Sequence, residues 1–152
     1  MDKKTEKTIV IIKPDGIKKR LIGKVIARVE ELGLTIKDIQ RKKLTPEECQ
    51  KLYPETRKNL PNIYAAVEKH MTENFSIILM AEGENAVQKV RAIRGPTNLL
   101  EAPEGTIRRD LITDEERELF GQGKNVQNVM HAPDDQKEAN LEIELFFAKK
   151  ED

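Results

Sequence analysis

Cysteine is almost absent from this chain, and so are aromatic rings, net charge and long apolar runs. Cys49 is the only thiol, so no disulfide within the chain and no cysteine metal cluster can form. Nothing basic stands beside it to favour a thiolate, and it reads as a small packing residue. Aromatics are 4% of residues, and no strand carries the paired rings with which RNA-binding sheets stack bases. The 27 basic and 27 acidic side chains cancel, which removes the broad positive field of most nucleic-acid binders. Any anion site must therefore be local. Met1 to Lys7 is polar, and the longest apolar run falls far short of the ~20 residues of a membrane span, so a cytoplasmic protein with no membrane partner is expected. No glycine-rich Walker loop is present, which excludes a P-loop mechanism.

What is present is a mixture of 38% apolar and 36% charged residues in 152 positions, enough for one packed core. One domain over residues 1–152 is expected, with 1–7 and 149–152 as flexible ends. Thr8 to Ile12 is a continuous β-branched run, the pattern of a strand buried on both faces, and Lys13-Pro14-Asp15-Gly16 after it is turn chemistry. Ile22, Val25, Ile26, Val29 and Leu32 recur at helical spacing and stop at Gly33. Leu34 to Ile39 reads as a second strand, and Thr45-Pro46-Glu47-Glu48 opens a short helix to about Leu52. Pro54 and Pro61 punctuate a polar connection, followed by a helix from Tyr64 to Met71 and a strand from Phe75 to Met80. Ala86, Val87, Val90 and Ile93 make another helical stripe, ending near Gly95-Pro96. From about 97 to 127 no period is sustained except in a charged patch, Thr113 to Leu119, suited to a short helix, and loops of this length usually serve a function. Asn125 to Met130 is expected as the fourth strand, and Ala139, Ile143 and Phe146 as one face of a last helix. The order predicts an α+β fold, a ferredoxin-like split β-α-β sandwich whose four-stranded antiparallel sheet is covered by helices on one face, with a long inserted loop at about 97–127.

There are two histidines. His70 sits among Glu68, Lys69 and Met71, where a solvated helix face explains it. His131 ends an apolar strand and precedes Ala132-Pro133-Asp134-Asp135, a place where ligands meet helix N-termini. With no second histidine or cysteine nearby a zinc site is disfavoured, and no metal-ligating residue is expected. A structural role and a nucleophilic one both remain open for His131 alone. The nucleophilic role requires one ring nitrogen held by an acceptor and cations around the incoming phosphate. Arg91 and Arg94 on one helix, Thr97 after Gly95-Pro96, and Arg108-Arg109 after Gly105-Thr106 could supply a polyphosphate clamp, or they could be solvated surface. Lys13, at the end of a buried strand, is costly to bury unless it faces a site.

Lys13-Pro14-Asp15-Gly16, Gly95-Pro96-Thr97-Asn98, Gly105-Thr106-Ile107-Arg108 and Asn128-Val129-Met130-His131-Ala132, with Glu142-Ile143 ahead of an aromatic, occur in the order and spacing seen in nucleoside diphosphate kinases. The chain resembles that family over nearly its whole length. The resemblance implies ping-pong transfer of the γ-phosphate of a Mg²⁺-bound nucleoside triphosphate to a nucleoside diphosphate, through a phosphohistidine on His131 Nδ1. It implies Glu142 as the acid holding the other ring nitrogen, Tyr53 beside the histidine, and Lys13, Arg91, Thr97, Arg108 and Asn128 around the polyphosphate. Lys13 and Asn128 would also reach the ribose. Tyr64 would be the aromatic on which the base stacks, with Ile63 as its competitor for that position. A homo-oligomer, tetramer or hexamer, is implied as well.

The chain also departs from the family pattern. Ala132-Pro133-Asp134-Asp135 replaces the usual Gly-Ser-Asp-Ser, removing a hydroxyl near the nucleophile. Leu99 stands for a proline, Arg109 for a glycine, and the stretch from Arg109 to Val126 is long, similar to a variant subgroup. The alternative from another class is a catalytically weak, nucleotide-binding regulatory member of the same fold.

Overall fold

The continuous apolar run near the N-terminus forms the centre of a four-stranded sheet. In the computed structural model, which describes residues 4–124 and 127–148, β1 (Thr5–Ile12) pairs antiparallel with β3 (Phe75–Glu84), Ile12 opposite Ile77. The other strands are β2 (Thr35–Lys43), paired antiparallel with β3, and β4 (Met130–His131), paired antiparallel with β1, giving the order β2-β3-β1-β4. The helices are α1 (Pro14–Lys18), α2 (Ile22–Glu31), α3 (Pro46–Leu52), α4 (Pro54–Asn59), α5 (Pro61–Glu73), α6 (Ala86–Arg94), α7 (Ile107–Asp110), α8 (Asp114–Gly121) and α9 (Gln136–Phe147), with a 3-10 turn at Leu99–Glu101.

Successive side chains of a strand point to opposite faces, and from Ile9 to Ile12 of β1 both sets are fully buried. Val10 and Ile12 pack with Val25 and Val29 of α2 and Ala86 and Val90 of α6. Ile9 and Ile11 pack with Cys49, Leu52, Tyr64 and Met71 of α3 and α5 and with Phe146 of α9. The expectation of helices on one face is thus corrected: both faces are covered. Each such side chain contributes about 1.5–3 kcal/mol by leaving water, so β1, buried throughout its second half, is the most firmly held element and the natural support for a site at its end.

Several boundaries differ from expectation for local reasons. Pro54 and Pro61 do not break structure; each occupies the first turn of a helix, where a missing N–H costs nothing, so the polar connection becomes α4 and the start of α5. β2 runs on to Lys43 because β3 extends beside it. The region expected as a long loop carries the 3-10 turn, α7 and α8, and its Leu99, Ile107 and Ile112 enter the α2/α6 core. α8 starts where the charged patch suggested, with Thr113 and Glu116 capping each other's backbone. The fourth strand holds only Met130 and His131; Asn125 and Val126 lie outside the described residues. β1 begins at Thr5, within the stretch expected as a free end, while residues 1–3 and 149–152 lie outside the described residues.

Candidate functional site

β1 ends by delivering Lys13 and the α1 turn against the segment that leads into β4. The Lys13 backbone N–H donates to Val129 O at 2.8 Å, and the Val129 N–H donates to Asp15 Oδ2 at 2.8 Å. Val129 is thereby held at both its N–H and its C=O while its φ is +72°, the left-handed region that a β-branched residue disfavours by about 1–3 kcal/mol. Gly16 permits this approach, because a Cβ there would lie 3.0 Å from Val129 O and 3.1 Å from Ile12 Cγ2. Asp15 is almost fully buried; burial pushes its pKa up, but the His70 hydrogen bond, the Lys13 charge and the Val129 N–H outweigh it, leaving the carboxyl below its ordinary range.

The strained residue sets up the two that follow. His131 pairs with Ile11 in the sheet, and its Nε2 lies 2.8 Å from Glu142 Oε1 on α9. A carboxylate only accepts, so Nε2 carries the proton and Nδ1 keeps its lone pair. The Tyr53 ring stands edge-on to His131, centroids 5.3 Å apart. Its buried hydroxyl has no partner among the described residues, and burial holds the phenol above its ordinary pKa. A carboxylate acceptor and an aromatic ring therefore flank an imidazole whose Nδ1 is left free.

Cations gather beside it. Lys13 Nζ donates to Asn128 Oδ1 at 2.9 Å and lies 5.7 Å from the Tyr53 centroid. Burial lowers its pKa to about 8, Arg108 adds to the fall, and Asp15 opposes it. Arg108, buried at the start of α7, donates to Met130 O at 3.0 Å and Pro96 O at 3.3 Å, yet its Nε has no partner among the described residues. Burial, then the neighbouring Arg94, brings its pKa down to about 10. A buried, half-satisfied guanidinium of this kind is set for an anion. Arg94 is structural: it donates to Ala132 O at 2.9 Å and reaches Asp134 at 3.4 Å, fixing the turn after the histidine. Arg91 is 56% exposed and paired to Asp134 at 3.3 Å, an exposed ion pair that holds its head only weakly. Thr97 is exposed, three residues beyond the end of α6.

Of the expected residues, then, Lys13, Tyr53, Arg108, Asn128, His131 and Glu142 are linked by contacts, and Arg91 joins them through Asp134. Tyr64 does not. Its ring is buried in the core with Cys49, Leu52 and Met71, and a ring enclosed in a core has no free face for a base. Ile63, the residue before it on α5, is exposed at 43%. Sequence reasoning also missed Asp15, taken only as turn chemistry, and His70, whose ring touches Asp15 and Gln127. The available signal for His70 was its place three residues after Val67, on the flank of the apolar stripe of α5. Cys49 is buried and its thiol pushed up to about 12, chiefly by burial, which suits packing rather than reactivity. Pro133 is buried and supplies no donor. Among the described residues no group of three or more His, Cys, Asp or Glu could hold a metal, and no helix is long and apolar enough to cross a membrane.

The chain is similar to known proteins over nearly its whole length. A family model described as nucleoside diphosphate kinase matches residues 6–151. The chain is 38% identical to a nucleoside diphosphate kinase of Hyperthermus butylicus, covering 96% of this chain and 94% of that one. It is 37% identical to one of Methanocaldococcus jannaschii, covering 96% of both. Among solved structures, the Borrelia burgdorferi enzyme, a transition-state mimic with bound vanadate and ADP, superposes with a TM-score of 0.82 at 27% identity, over 94% of this chain and 87% of that one.

Proposed function

Since the chain belongs to the nucleoside diphosphate kinase family, we propose that its transfer of phosphate from nucleoside triphosphates to nucleoside diphosphates runs through His131. The observation that carries this assignment is the 2.8 Å contact between His131 Nε2 and Glu142, which leaves Nδ1 as the nucleophile. Its lone pair attacks the γ-phosphorus in line, the bond from that phosphorus to the β–γ bridging oxygen breaks, and the diphosphate leaves. A terminal oxygen of a second diphosphate then attacks the phosphohistidine, and the P–N bond returns its electron pair to the ring. Glu142 stabilises the charge that the phosphorylated imidazole develops. Phosphoryl transfer needs little beyond positioning and positive charge, and Lys13, Arg108 and Arg91 supply the charge, with Thr97 as a hydroxyl donor and Tyr53 beside the ring.

Nucleotide is bound with its phosphates between Arg91, Thr97 and Arg108 and its ribose near Lys13 and Asn128. Ile63, in place of Tyr64, offers the apolar surface for the base. Mg²⁺ would come with the nucleotide and offset the charge of its phosphates; the cationic lining of Lys13, Arg91 and Arg108 fits a metal held by phosphate rather than one caged by protein. Residues 1–152 act as one such domain, in the cytoplasm, as a homo-oligomer of four or six copies, with no specific nucleic acid.

Incubation with γ-labelled nucleoside triphosphate and Mg²⁺ tests the assignment. The expected product is an acid-labile, base-stable label that His131→Ala abolishes. Wild-type protein that binds nucleotide and stays unlabelled would instead support a regulatory, non-catalytic member.

A further inference from the structure

His70 takes no part in the chemistry above, yet it touches the scaffold of the nucleophile from behind. It lies in the last turn of α5 with 18% of its side chain exposed. Its Nε2 is 3.3 Å from Asp15 Oδ1 and its Nδ1 is 3.2 Å from Gln127 Nε2. An amide nitrogen only donates and an ionised carboxylate only accepts, so one neutral tautomer satisfies both neighbours: protonated on Nε2, bare on Nδ1. The other oxygen of Asp15 accepts from the Val129 N–H. A continuous chain of hydrogen bonds thus runs from Gln127 through His70 and Asp15 to the backbone of Val129.

That chain brackets the segment on which the site depends. Gln127 stands before Asn128, whose side chain accepts from Lys13; Val129 is the residue in the left-handed region; His131 follows two positions later. A strained residue holds its conformation only while its surroundings over-determine it. Releasing Asp15 Oδ1 would leave a buried carboxylate free to turn away from the Val129 N–H. We propose that His70 is a positioning residue for the phosphotransfer, which as the Nε2–H tautomer holds Asp15 on Val129 and Gln127 beside Asn128, so that His131 faces the phosphate in line. The proposal rests on the phosphohistidine role of His131.

Long-range ¹H–¹⁵N spectra of the wild-type chain read the tautomer directly, since only two imidazoles are present and His131→Ala assigns them. His70 is expected to be protonated on Nε2. His70→Phe fills the space without a donor and is expected to slow labelling of His131 on the order of 10- to 100-fold, the scale of a small misplacement, with ADP affinity little changed. His70→Gln keeps an N–H near the position of Nε2 and is expected to recover most of the rate. A proton on Nδ1, wild-type labelling by the Phe variant, or a folded Gln variant slowed on the same 10- to 100-fold scale would each overturn the proposal. Should the Phe variant not fold, the tautomer and the Gln variant still decide. A wild-type chain that is never labelled would defeat the phosphohistidine role instead, which the tautomer does not report.

Discussion

Burying the Lys13 ammonium lowers its pKa to about 8 from 10.5, and the sign of the consequence follows from proton counting. Below about pH 8 both folded and unfolded chains carry the proton, and the folded state bears the full penalty; between about 8 and 10.5 the unfolded chain binds more protons, so stability rises with pH. At ~1.4 kcal/mol per unit the penalty is about 3 kcal/mol, partly offset by the Asn128 bond. Lys13→Met is therefore expected to stabilise the fold by about 1–2 kcal/mol near neutral pH, raising Tm by several degrees for a chain of this size, while phosphate transfer is lost. Nucleotide phosphates would restore a counter-charge and draw a proton onto Lys13, so ADP affinity should weaken as pH rises above about 8, with proton uptake measurable by calorimetry in buffers of different ionisation enthalpy. A destabilised Met variant, or binding without proton uptake, would contradict this account. Lys13 was legible in the sequence because a lysine ending a buried strand needs a reason. Asp15 and His70 were not, because each looks ordinary among its sequence neighbours, and the partners that give them meaning lie 114 and 57 residues away.

Elements made the same division between local and distant causes. α2 and α6 could be read from apolar residues recurring at three to four positions, and β1 and β3 from short, β-rich apolar runs. α4 could not, because a proline that opens a helix and one that ends it look alike without the following contacts. The two-sided cover of the sheet was implicit in the unbroken apolar run of β1, but which helices supply each face depends on chain path. β4 is the least legible element: two residues long, it owes its existence to the grip on Val129 rather than to its own propensity. Gly16→Ala tests that grip. The added methyl would meet Val129 O at 3.0 Å, where Lys13 N–H already donates, and backbone cannot yield as a side-chain tip would. A loss of about 1–3 kcal/mol, typical of overpacking, is expected in the urea midpoint, along with slower His131 labelling. Unchanged stability and labelling together would show that β4 has slack.

For the whole molecule, the balanced charge has a consequence beyond discouraging nucleic acid. With 27 charges of each sign and an isoelectric point near 6.8, copies of the chain meet no long-range repulsion near neutral pH. Ile39 on the outer strand β2, Leu100 and Leu141 remain exposed on the single chain, and an edge strand of nine residues is the kind of surface that proteins either shield or pair. Phe75, also exposed, has one face of its ring capped by Arg41 at 3.6 Å. Association that covers the three aliphatic side chains would couple folding to assembly, and the melting temperature would then rise with protein concentration. Nucleotide adds separately: ADP at about a hundred times its Kd contributes ~2.7 kcal/mol, or roughly 5–10 °C for a chain of this size. The two dependences can be told apart, because removing Arg108 should abolish the ADP shift and leave the protein-concentration shift in place. Sedimentation should return four or six times the 17.4 kDa chain mass. A species at the single-chain mass, melting at one temperature across protein concentrations, would remove the oligomer and leave a monomer whose exposed leucines need another explanation.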